Sequence, residues 1–421
     1  MNRLPLTDQF PYRFTRPRLN PAYLWLMRRT LGRVAWSYAK IERFEVSGLE
    51  RLRERLGRGD GVLLTPNHSD HGDSFSMLHL GAKVGRPFYF MVAHQILHGF
   101  RGHLMRRLGA FPVDREGADL NAFRAAVEVL GQGRNPLVIF PEGEIHHLGD
   151  RVTPLREGAA AIALSAYKRL ADAGKTVWVV PVGLKYRFVD GHDPLPALHE
   201  IMDELERRAL WWVGRDRPLV PRIYRYAEGM MGLKEFEYLG AARSGPLPER
   251  LAFLREHILT KLEARHRPAA SKKAADVPER VKEVRRACLE ALADPATTPE
   301  RARELRRDLH DVFVAFQTFS YPGDYLRHGA TVERLSETLM KCEEDFLGVH
   351  EVTPRGPRRA LIQIGEPIDV RAQVAAVSRL RLAASALTDE LESRIQAALD
   401  VLGPGRALPT ECLGTLEASK P

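Results

Sequence analysis

The strongest constraint on the fold is a series of five short apolar runs, each closed by a polar or glycine-bearing turn. They span 61–64, 87–93, 109–113, 136–140 and 176–184. Runs this short, bounded by turn residues, read as buried strands. Helical segments separate them at 96–108, 118–130 and 156–170. A further run, Glu42–Ser47, alternates, with Phe44 and Val46 on one side, and 49–56 reads as a short charged helix. Strands alternating with helices predict an α/β fold: a mostly parallel sheet flanked by helices.

After Val189 the pattern changes. Residues 190–357 carry little strand character and several helix starts, at Pro196, Pro246-Leu247-Pro248, Val277-Pro278 and Thr297-Thr298-Pro299-Glu300. Arg267–Asp276 reads as an exposed linker. Sheet character returns at 360–368, and a final helix is expected over Ser378–Leu402. The predicted organisation has four parts. Residues 1–44 are a basic amphipathic helical segment. Residues 45–189 plus 358–403 form one α/β domain. A large all-helical insertion spans 190–357, and 404–421 is a loose tail.

One turn concentrates the chemistry. Thr65-Pro66-Asn67-His68-Ser69-Asp70-His71-Gly72-Asp73 ends the run at 61–64 and precedes an expected helix. Such strand-to-helix turns are common active-site positions in α/β folds. On a continuous helix, His68 and Asp73 would lie about 140° apart around the axis. They meet only if His68 sits in the turn before the helix begins. Asp73 then orients the imidazole, and His68 is placed to act as a general base.

Charge and cysteine content narrow the setting. Lys plus Arg number 63 against 54 Asp plus Glu, a net charge of +9. That balance suits an anionic partner, and with no nucleic-acid-binding motif present a membrane surface or phosphorylated substrate is expected, not nucleic acid. Three distant cysteines, Cys288, Cys342 and Cys412, argue against a disulfide framework and fit a reducing compartment. No apolar run approaches the roughly 18 residues of a membrane span, and no secretory signal is read at the N-terminus. The expected location is cytoplasmic, peripheral on the inner face of a membrane. Within 20–40, Leu24, Met27, Leu31, Val34, Ala35 and Tyr38 share one helical face. Arg29 and Arg33 lie opposite, with Trp25 and Trp36 beside them. This is either a core-packed helix with a solvated basic face or an interfacial helix with Trp at headgroup level.

Four stretches at the ends of predicted strands carry a resemblance: Asn67-His68…Asp73, Gly109…Asp114-Arg115, Phe140-Pro141-Glu142-Gly143 and Val180-Pro181-Val182-Gly183. In this order they resemble the glycerolipid acyltransferases, which include the glycerol-3-phosphate and lysophosphatidic acid acyltransferases. The resemblance covers about 45–188, with Ile364-Gly365-Glu366-Pro367-Ile368 similar to the end of that family's core. It implies acyl transfer from coenzyme A or acyl carrier protein, as co-substrate, to a glycerol hydroxyl of a membrane lipid acceptor. No other cofactor and no metal is expected. His68 is the implied base and Asp73 its partner. Arg115 is the implied phosphate ligand, and Glu142 and Gly143 shape the acceptor pocket. Departures from the family pattern leave the acceptor open. Glu144-Ile145 stand where Thr-Arg often follow, with His146 and His147 close by; Ala93-His94 replace a frequent Lys, and Pro112 an aliphatic residue.

Two other readings compete. His68, Asp70 and His71 match part of a run resembling the metallo-β-lactamase superfamily, which implies a metal-dependent hydrolase. Alternatively, the basic N-terminal helix and the helical insertion serve a non-catalytic, membrane-associated adaptor.

Overall fold

The apolar runs become strands of one mixed sheet in the computed structural model, which describes residues 12–115, 119–266, 277–327, 329–376 and 380–414. The strands are β1 (Ile41–Ser47), β2 (Gly61–Pro66), β3 (Tyr89–Ala93), β4 (Ala110–Val113), β5 (Leu137–Val138), β6 (Val177–Phe188), β7 (Arg358–Ile364) and β8 (Ile368–Asp369). Their order is β1-β7-β6-β2-β5-β3-β4, with β8 beside β6. The pairs from β6 through β2, β5 and β3 to β4 are parallel. β7 and β8 run antiparallel to β6, and β1 follows β7 in parallel. The mostly parallel α/β expectation holds, with an antiparallel edge that periodicity does not reveal.

β2 shows why the runs are apolar throughout. All six of its residues are buried. Leu63 enters the core beneath helices Leu120–Gly131, Gly158–Leu170 and Leu380–Val401. Val62 and Leu64 enter the opposite core, with Met77 and Leu80 of helix Asp73–Lys83. A strand covered on both faces has no polar side to alternate with. The 136–140 run supplies only two strand residues, whereas β6 extends to Phe188 along its antiparallel partner. Pro181 sits where β6 changes neighbour from β8 to β7, so its missing N–H falls in a gap of the ladder.

Between β6 and β7 the described residues are helical. The helices are Leu195–Arg208, Leu219–Leu239, Leu247–His266, Val277–Ala293, Pro299–Ser320 and Val332–Cys342, the last running into a π-turn, Glu343–Leu347. The start signals act locally: the Thr298 side chain accepts the Arg301 N–H, and Thr331 accepts that of Arg334. These helices bury a core of their own. They dock on the sheet through helix Val332–Cys342, whose Glu333 accepts the backbone N–H groups of Phe188 and Arg406. The linker at 267–276 and Ser378 lie outside the described residues.

Two local expectations change. Residues 404–413 are docked rather than loose, because Leu408 and Cys412 join the helical core and Ala407 bridges Thr331. In helix Pro21–Ala39, capped by the Asn20 side chain, Leu31, Ala35 and Ala39 are buried, but Tyr38 is 43% exposed. The opposite face shows Trp25, Leu26, Arg29, Arg33 and Trp36 to solvent. The helix therefore packs on the core and also presents an aromatic, basic stripe. Among the described residues no helix is long and apolar enough to cross a membrane.

Candidate active site

The chain leaves β2 at Pro66 and does not enter its helix until Asp73, so His68 lies in the intervening turn. His68 Nδ1 is 2.9 Å from Asp73 Oδ2. The backbone N–H groups of Ser69 and Asp70 donate to the same oxygen at 2.9 and 3.0 Å. Tyr186 Oη, on β6, donates to Oδ1 at 2.7 Å. Four donors thus converge on a side chain with no solvent exposure. With Nδ1–H directed to Asp73, the other ring nitrogen, Nε2, is the acceptor. The imidazole also stacks on Phe140, with ring centroids 4.1 Å apart.

The turn is fixed from below. Leu184 N–H donates to Asn67 Oδ1 at 2.7 Å, and Asn67 Nδ2 donates back to the Leu184 carbonyl at 3.1 Å. Arg358, at the start of β7, forks onto Asp70 at 2.8 and 3.1 Å and lies over the Tyr186 ring. Burial works to raise the Asp70 carboxyl, but the Arg358 guanidinium outweighs it and holds the group below the usual carboxylate range. Tyr186 and Arg358 are supporting residues that the motifs do not mark, and Asn67, inside the first motif, takes a supporting place as well.

Glu142 lies beneath the cleft wall rather than in it. It is 5% exposed. Its Oε1 accepts the His68 N–H at 2.7 Å, and its Oε2 accepts from the Thr153 backbone and hydroxyl. Burial pushes its carboxyl up to about 7. It holds the backbone of His68 and does not line the cleft. Gly143 does line the cleft. It has φ +81°, and a Cβ there would come within 2.7 Å of Arg156, so glycine is required on two counts.

Arg115 donates to the Gly143 carbonyl at 2.6 Å and pairs with Glu144 at 2.7 Å. Burial works to raise the Glu144 carboxyl, but Arg115 and Arg156 hold it below its ordinary range. Two guanidiniums thus face the Glu144 carboxylate, with Asp114 and Glu157 lining the same stretch of the cleft. His146 adds no charge here. Burial lowers its imidazole to about 3, and it faces Ser320 across 3.1 Å.

The residues of the metal-hydrolase reading diverge. His68 turns to Asp73, Asp70 to Arg358, and His71 to Glu344 at 2.7 Å. Each is committed to a different partner, so the three form no common ligand set.

The imidazole opens on a cleft of about 3890 Å³ between the sheet and the helical region. His68, Phe140, Gly143 and Arg115 line it from the sheet side. Tyr226, Met230, Phe316 and Phe346 face them from the helices, and Tyr38, Ile96 and Arg101 lie near the N-terminal helix.

Residues 43–185 match the family model described as Acyltransferase. The match runs from β1 to β6 and includes His68, Asp73, Arg115, Glu142 and Gly143. This part of the chain is therefore similar to an acyltransferase domain, and the similarity supports a general acyl-transfer activity. The helical region lies outside the match. No curated protein matches the chain.

Proposed function

We propose that the protein is a glycerolipid O-acyltransferase. It moves an acyl group from coenzyme A or acyl carrier protein to a glycerol hydroxyl of lysophosphatidic acid, glycerol-3-phosphate or a related lysolipid. One observation carries the reading: a His–Asp pair 2.9 Å apart faces a cleft with apolar walls wide enough for an acyl chain. His68 Nε2 takes the proton of the acceptor hydroxyl as its oxygen attacks the thioester carbonyl. The tetrahedral adduct collapses, the C–S bond breaks, and the thiolate leaves with the proton returned by the imidazolium. Asp73 holds the ring and offsets its charge while protonated. No acyl-enzyme is required.

Arg115 and Arg156, which line the cleft beside Glu144, suit an acceptor bearing phosphate. Arg285, Arg306 and Arg307 also line the cleft and offer charge to the phosphates of coenzyme A or to an acidic carrier. The stripe of Trp25, Arg29, Arg33 and Trp36 suits the cytoplasmic face of an anionic membrane, with Arg29 4.5 Å from the Trp25 ring centre. Phe100, 84% exposed, adds a second apolar contact.

The test is thiol release from an acyl thioester with lysophosphatidic acid, glycerol-3-phosphate and other lysolipids as acceptors. Acceptor-dependent release that requires His68 supports the proposal. No turnover with any acceptor contradicts it, and a function unchanged in His68→Ala returns the adaptor reading.

A further inference from the structure

A second cluster adjoins the catalytic pair without serving it. His71 lies in the same turn, between His68 and Asp73. His147 lies in the loop that follows Glu142. Glu344 lies in the π-turn Glu343–Leu347 of the helical region, a helix irregularity often found at functional sites. One donor atom from each of the three falls within 4.8 Å of the others. His71 Nε2 is 2.7 Å from Glu344 Oε1, and His147 Nε2 is 3.1 Å from the same oxygen.

We propose that His71, His147 and Glu344 form a zinc site that clamps the helical region onto the catalytic turn. Three observations carry it. The first is the donor set. Two imidazoles and one carboxylate suit zinc better than magnesium or calcium, which prefer all-oxygen shells. Bonds of 2.0–2.2 Å place neighbouring donors of a tetrahedral shell about 3.3 Å apart, close to the spacings of both imidazoles from Glu344.

The second is His147. Its side chain is wholly buried, Nδ1 has no hydrogen-bond partner, and Nε2 has only the 3.1 Å contact with Glu344, an oxygen already held more closely by His71. Its backbone is held at φ +53°, uncommon for a residue with a side chain. An imidazole–carboxylate clasp without metal satisfies His71 and leaves His147 unmatched. A metal ion takes one of those nitrogens as a ligand.

The third is that neighbouring groups are committed elsewhere. His68 is bound to Asp73, Asp70 to Arg358, His146 to Ser320 and Glu343 to Arg355. The three residues are what remains to receive a cation. All of them also line the cleft, which gives an ion a way in.

The experiment uses the full chain, stripped with a chelator and titrated with zinc chloride by calorimetry, and in parallel with cobalt(II) by absorption. The site predicts one equivalent of zinc, visible cobalt bands of four-coordinate intensity, and a zinc-dependent rise in melting temperature. Glu344→Gln keeps an oxygen for His71 but loses the anionic ligand; it should weaken zinc binding by about 10-fold or more. His147→Gln should do the same. Wild-type protein without the cobalt bands, or Glu344→Gln binding zinc as tightly as wild type, overturns the proposal. None of these measurements depends on acyl transfer, so this proposal and the proposed function fail separately.

Discussion

The two walls of the cleft are held by different means. On the sheet side the His68–Asp73 pair stands on a buried polar network. Asp73, Tyr186, Asp70 and Arg358 are all nearly or wholly enclosed, and each bonds to the next element of the sheet. The helical wall rests on its own apolar core and pairs some of its buried charges internally, as in Arg222 with Asp203 and Glu206. Both regions bury an arginine, but only Arg358 is joined through its partner to the turn that carries His68. On the proposed function, the contrast assigns the chemistry to the sheet side and leaves the helical side to set what the cleft accepts.

The largest break in that contrast should come from Asp73→Asn. It keeps the shape but removes the negative charge that fixes the tautomer of His68 and steadies the ring once protonated, and turnover should fall by about 10²–10⁴-fold. Steady-state thiol release measures it. The two buried arginines come next. Arg358→Met and Arg222→Met each strand a carboxylate in the interior and should each cost roughly 3–5 kcal/mol in denaturant unfolding. Only the first should depress turnover in the surviving folded fraction. Equal losses would erase the distinction between the walls.

Glu142 gives a pH signature on the sheet side. Below its ordinary value of 4.5 both folded and unfolded chains carry the proton, but from there to about 7 only the unfolded chain has released it. Glu142 therefore favours folding at acid pH, and that advantage is lost as pH rises through this window. Glu142→Gln should flatten the stability profile there by roughly 3 kcal/mol. A difference from wild type that is constant across the window would contradict the assignment. The smallest effect is expected from Tyr186→Phe, which removes one of four donors to Asp73. It should cost about 1 kcal/mol of stability and slow turnover by much less than Asp73→Asn.

What could be read from the chain depended on how local the cause was. β2 and the turn after it are legible because burial on both faces forces a continuous apolar run and a polar stop. His68 and Asp73 are five positions apart, so their meeting follows from where one helix begins. Glu344 is 273 residues from His71, and Arg358 is 288 from Asp70. No periodicity links such positions, and their partnership appears only once β7 is laid against β6. The place of Glu142 is hidden from the sequence for a related reason. Its motif marks the position, but only the packing shows the carboxylate turned inward to the His68 amide. Helical spacing likewise gave the buried face of 21–39 without showing that Tyr38 would lie at its exposed margin.

The central claim is that His68 removes the acceptor's proton while the surrounding network stays intact without it. The direct measurement is acceptor-dependent thiol release by His68→Ala beside wild type, with melting temperatures compared. A fall of about 10²-fold or more at an unchanged melting temperature is the predicted result. Release that persists near the wild-type rate in a folded His68→Ala protein would contradict it.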